Sequence, residues 1–177
     1  MRSPPFTPFS VGAMTVTPVL LGEISDRLRD WFPEGAQRVP DGTTTLPIIC
    51  LHIAGPGCSV IVDVCDPACY APEQGPLAQD AASAFVEVGV APTDVTHVIL
   101  THGHHDHYCG LWDQKADRPV FPNARHVLSG RDWQGQSLTK SAMAADGTAA
   151  DPTPLQRLHA LGRLELAAPE PPLPPAI

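Results

Sequence analysis

The chain has 177 residues, 43% of them hydrophobic, and 19 acidic against 11 basic side chains give a formal net charge of −8. That length supports one domain with a real core, and the composition excludes a fibre or a disordered acidic tail. The acidic balance argues against a nucleic-acid partner, which needs a basic footprint, and no run reaches the ~18 continuous apolar residues of a membrane-spanning helix.

In chain order, prolines come first. There are 21 in all, with four in the first 18 residues and five in the last 11. Proline lacks the amide donor and blocks helices and central strands. Residues 1–18 therefore read as a proline-rich leader and 167–177 as a disordered tail, around a body at 19–166. The leader has Arg2 but no apolar run, so it is not a secretory signal, and Met14 offers an alternative start. Five cysteines, an odd number with no Cys-x-x-Cys, indicate reduced thiols and a cytoplasmic protein.

Pro47 to Ala54 is a short apolar run that reads as a strand, Gly55-Pro56-Gly57 is a turn, and Cys58 to Asp63 reads as a second strand. Leu77 to Val88 places Leu77, Ala81, Ala84, Phe85 and Val88 on one helical face, with Gly89 set to end the helix. Val95 to Leu100 reads as a buried strand, Ala124 to Ser129 as another, and Pro154 to Leu161 as a short helix. Helices and strands alternate, so the class is α/β or mixed. Tyr108 and Trp112 read as packing residues, and Asp113, Asp117 and Asp132 as solvated surface charges.

The strand at 95–100 runs straight into Thr101-His102-Gly103-His104-His105-Asp106-His107-Tyr108-Cys109-Gly110. Four histidines and an aspartate within six positions form a donor set suited to Zn²⁺, and also to Mn²⁺ or Fe²⁺. His102 and His104 are two apart, so in extended backbone they share a side. Such a cluster behind a buried strand is costly unless a cation orders it.

The motif Thr101-His102-x-His104-x-Asp106-His107 resembles the signature of the metallo-β-lactamase superfamily. Val60-Ile61-Val62-Asp63 looks like that family's earlier strand ending in aspartate, and the likeness covers roughly residues 45 to 165. The resemblance implies an αββα sandwich with zinc sites at one edge of the sheets. His102 and His104 would bind a first metal, and Asp106 and His107 a second. Asp106 would also be the catalytic candidate, with Asp63 supporting the ligands from behind. The implied activity is attack of a metal-activated water on a lactone, an ester or a related small-molecule substrate. His105 would point away.

The family's later Gly-His motif and its further aspartate and histidine have no counterpart here. His126 and His159 follow no glycine and read as structural residues, while Cys109 stands where the family has glycine. It reads as an inert buried thiol or a soft extra ligand, and Cys65, Asp66 and Cys69 as at most a minor metal clip. The chain is accordingly expected to be a truncated N-terminal half of the sandwich, with one sheet face uncovered and prone to self-association. Two activities stay open: a metallo-hydrolase, or a catalytically inactive or binding-only half-fold lacking the remaining ligands.

Overall fold

The computed structural model describes residues 6–31, 42–66, 81–135 and 151–168. Their centre is a seven-stranded mixed sheet in the order β1-β2-β3-β4-β5-β8-β9. Here β1 is Phe9–Val11, β2 Met14–Asp26, β3 Thr44–Gly55, β4 Cys58–Val62, β5 His97–Ile99, β8 Arg125–Ser129 and β9 Leu164–Ala167. The first four strands pair antiparallel, and β4, β5, β8 and β9 then run parallel. Strands β6 (Trp112–Asp113) and β7 (Arg118–Pro119) form a separate small ribbon. Helices α1 (Leu28–Trp31), α2 (Ala81–Glu87), α3 (His105–Tyr108), α4 (Gly130–Gly135) and α5 (Pro154–Ala160) complete the elements.

The expected hairpin at 47–63 and the strands at 95–100 and 124–129 are present, with Pro92–Asp94 forming a 3-10 turn ahead of β5. Helix α2 covers the predicted apolar face through Ala81, Ala84 and Phe85, and Gly89, at φ +82°, ends it; residues 77–80 lie outside the described set. Helix α5 begins on a capping box in which Thr153 Oγ1 accepts from Gln156 N and Gln156 Oε1 accepts from Thr153 N.

The leader is a correction. Residues 9–11 and 14–18 belong to β1 and β2, so the expected appendage joins the sheet from Phe9 onward. Pro18 sits opposite Leu51, but β1 pairs only with Met14–Val16, so among the described residues β2 has a neighbour on one side alone at that point. Pro47 likewise lies where β3 has β2 but not β4 beside it. A strand accepts proline where the missing amide faces no partner. Of the tail, Ala167 closes β9, and 169–177 lie outside the described residues.

One sheet face carries the core. Register places Val19, Cys50, Ile61, Val98, His126 and Leu164 on it, all buried beneath α2, α5 and the loop that carries Phe121. Phe85 meets Phe121 edge-on at 5.1 Å. Tyr108 and Trp112 are buried as expected, but Asp117 is not merely solvated: its Oδ1 accepts from Trp112 Nε1 and from Arg157 Nη1, both at 3.0 Å. Among the described residues no helix is long and apolar enough to cross a membrane.

The opposite face pairs Ile53 with Val60, Leu51 with Val62, Val62 with Ile99, and Ile99 with Val127. It is as apolar as the core face, yet Ile49 is 40% and Ile99 43% exposed. A sheet with parallel strands is normally covered on both sides. Concentration-dependent association is therefore expected, suppressed by Ile99→Lys; sedimentation that finds only an 18.8 kDa species would contradict it.

His126 is fully buried, and neither ring nitrogen has a partner among the described residues. Burial, partly opposed by the Arg163 backbone, pushes its pKa down from 6.5 to about 4. The unfolded chain then binds the extra proton between those values, so stability is full above pH 6.5 and falls as pH drops toward 4. The loss expected is roughly 3 kcal/mol, at 1.36 kcal/mol per unit. Urea midpoints measured from pH 7 to 4 should show that slope, and His126→Leu should flatten it.

Candidate metal centre

The histidine cluster sits where two parallel strands end. Asp63 follows β4 directly, and its N–H donates to Ile99 O at 3.0 Å, one step beyond the last strand pair. Leu100 N extends the β5–β8 ladder in the same way by donating to Val127 O at 2.9 Å. The chain then bends through Thr101 and His102, and His104, in extended conformation, starts α3. Parallel sheets commonly place their sites in the crevice at the carboxyl ends of strands.

Asp63 organises this end. It adopts φ +57°, a left-handed conformation that aspartate tolerates better than most residues. Its Oδ1 accepts from Thr101 N at 2.9 Å and its Oδ2 from Thr101 Oγ1 at 2.8 Å. The same Oδ2 meets His107 Nδ1 at 2.9 Å. A carboxylate facing Nδ1 places the ring proton there, which leaves the Nε2 lone pair available. That Nε2 lies 3.4 Å from Asp106 Oδ2.

His102 and His104 form a second pair, with His102 Nε2 2.9 Å from His104 Nδ1 and the rings 4.5 Å apart at 74°. The His102 and His107 rings lie 3.9 Å apart, so both pairs belong to one cluster. Two donors on a tetrahedral zinc at ~2.0–2.1 Å lie about 3.3 Å apart, and both pairs are near that spacing. The donor chemistry fits zinc as two pairs. No group of three or more His, Cys, Asp or Glu residues is arranged to hold a metal among the described residues. His105 lies outside the cluster, its ring edge-on to Tyr108 at 5.5 Å.

A cleft of about 340 Å³ opens over this end of the sheet. Asp63, Cys65, Asp106 and His107 form its polar side, and Ile24, Leu46, Pro47, Ile48 and Ile49 its apolar wall. That wall is not legible in any local stretch of residues, because β2 and β3 come together through antiparallel pairing of distant segments. Thr101 is a further residue without an assigned role in the sequence; as the clamp on Asp63, it carries a signal only in standing next to the histidines.

Below the cleft, Cys109 lies against Cys65, Sγ to Sγ 3.9 Å, and accepts from Asp66 N at 3.3 Å. The contact with Cys109 and burial push the Cys65 thiol upward in pKa. Cys65 therefore pairs with Cys109, and the clip expected with Cys69 falls outside the described residues. His126 is in the core and His159 stacks on Trp133 at 4.7 Å, so neither joins the cluster.

Gly110 closes the loop. A Cβ there would lie 2.8 Å from Val64 Cγ1 and 3.0 Å from both Asp66 N and Cys65 C. Two of those three atoms are backbone and cannot step aside. Gly110→Ala should lower stability by about 1–3 kcal/mol in urea denaturation, as overpacking does.

The family model described as "Metallo-beta-lactamase superfamily" matches residues 53–175. The metallo-beta-lactamase domain-containing protein 1 of Xenopus laevis is 43% identical over 95 residues, covering 53% of this chain and 31% of that protein. Among solved structures, a hydrolase in the beta lactamase superfamily matches with TM-score 0.67 at 14% identity, over 95% of this chain and 62% of its own. A probable metal-dependent hydrolase from Staphylococcus aureus gives 0.64 at 18%, over 94% and 63%. A dizinc quorum-quenching lactonase in complex with a product gives 0.61 at 17%, over 92% and 60%. At these identities the likeness is one of fold. The chain spans about three fifths of those structures and under a third of the Xenopus protein.

Proposed function

Because the chain belongs to the metallo-beta-lactamase superfamily, we propose that it is a metal-dependent hydrolase of lactone or ester bonds, with His102, His104, Asp106 and His107 as its metal-binding residues. The observation that carries this reading is the orientation of His107. Asp63 occupies its Nδ1, and Nε2 is turned toward Asp106 beside the cleft. Metal-binding imidazoles are held by that arrangement in general.

Zinc, or Mn or Fe in its place, supplies Lewis-acid polarisation of the scissile carbonyl and lowers the pKa of water. The chain's own residues do the rest. Ile24, Leu46, Ile48 and Ile49 offer an acyl or alkyl group an apolar wall, which favours a small apolar ester or lactone over a charged substrate. Asp106, beside His107 Nε2 at the cleft, would be the catalytic carboxylate. Asp63 and Thr101 fix the His107 ring through the hydrogen bonds they share. The lactone and ester class also draws on similar structures, which include hydrolases and a quorum-quenching lactonase.

A second reading is favoured by a specific observation: among the described residues the donors come as two pairs without a third partner. In that reading the chain as given binds metal weakly and turns nothing over. Catalytic zinc ordinarily has three protein ligands and an open position.

The test is to purify the chain with zinc, measure bound metal, and assay an aryl ester and a γ-lactone. Stoichiometric zinc with turnover is expected, both lost together in His102→Ala/His104→Ala. Asp63→Asn keeps an acceptor for Thr101 N and tolerates the left-handed backbone, so it should fold while zinc affinity falls about 10–100-fold. Failure to retain zinc overturns the proposal. Zinc bound without turnover selects the second reading.

A further inference from the structure

The two thiols beneath the cleft are not part of the machinery just described, and their placement is specific. Cys65 comes two residues after Asp63, and Cys109 two residues after His107. Their sulfurs touch at 3.9 Å across 44 positions of sequence. Backbone bonds bracket them: Val64 N donates to His107 O at 2.8 Å, and Gly110 N donates to Val64 O at 3.0 Å. Gly110, with no side chain, lets the two segments press together at that point.

We propose that Cys65 and Cys109 form a reversible disulfide at the floor of the cleft, made by exchange with a low-molecular-weight disulfide. A disulfide needs the sulfurs at about 2.05 Å, so closure brings them roughly 2 Å nearer between segments whose backbones are already braced. Both thiols are buried, at 5% and 1% exposure, but of the two Cys65 lines the cleft, so an incoming disulfide meets Cys65 first. The Cys65 sulfur attacks the incoming disulfide, forming a mixed disulfide and releasing one small thiol. The Cys109 sulfur then attacks the Cys65 sulfur, forming the protein disulfide and releasing the second thiol. Two protein thiols are oxidised, one small disulfide is reduced to two thiols, and each displaced thiolate takes up the proton that an attacking thiol gave up. The product covalently joins the segment that carries Asp63 to the one that carries His107. The other described cysteines are placed differently: Cys50 is buried in β3, and Cys58 opens β4 at its far end.

The experiment uses the full reduced chain under native conditions, with oxidised glutathione as the probe, then alkylation and peptide mapping. The expected product is two hydrogen atoms lighter, has lost two alkylatable thiols, and yields a peptide linking Cys65 to Cys109 that dithiothreitol releases. Its Tm should exceed that of the reduced chain. Cys109→Ser should stop at glutathione attached to Cys65, Cys65→Ser should yield no cross-link, and Cys58→Ser should close normally. Circular dichroism identifies any serine variant that fails to fold, in which case the unmutated chain's peptide map decides alone. A folded chain that keeps both thiols alkylatable, or that links either one to a different cysteine, overturns the proposal. None of these readouts depends on metal or turnover.

Discussion

The Asp63 carboxylate holds this end of the molecule together. With two oxygens it engages an amide and a hydroxyl of Thr101 and the ring of His107, so one side chain at the end of β4 fixes both the start and the end of the histidine loop. Backbone bonds brace its far end, with Val64 N donating to His107 O and Gly110 N to Val64 O. The loop begins where β5 stops, turns through a bend and returns as the single-turn helix α3, too short to be stable by itself. A strand end is rigid because its ladder continues behind it, and Asp63 transfers that rigidity to groups well past the ladder. The same logic accounts for its left-handed backbone, a conformation whose cost is sustained only when surrounding bonds over-determine it.

Much of this was legible in the residues. The β-branched run Val60-Ile61-Val62 ending in aspartate, the apolar strand before Thr101 and the density of histidine mark the strand ends where the cluster lies. The pairing of His102 with His104 also followed from their spacing, though the backbone between them is a bend rather than a strand. What the residues withheld was non-local. The apolar wall opposite Asp106 comes from β2 and β3, and the thiol contact joins positions 44 apart. Nothing in a local window reports which distant segments will meet.

The misreading at the N-terminus has a different cause. Proline usually breaks a strand, and Pro18 in β2 does not. Whether proline disrupts a strand depends on what its missing amide would have faced, and that is decided by how far the neighbouring strand extends. His126 taught a related lesson. It reads as a structural residue, and alternation along β8 points it inward with Leu128, where it is buried. The result is a buried imidazole kept neutral by its surroundings.

Pro18 bears on how the molecule can associate. Past Val16 the outer margin of β2 has no partner among the described residues, and a bare margin is where a strand from another chain would dock. At Pro18 that margin offers no hydrogen to share. Addition of a strand is disfavoured at that one position, while Leu51, Ile53 and the 43% exposed Ile99 share the opposite sheet face. A single residue thus makes covering the sheet easier than lengthening it at that point of the margin.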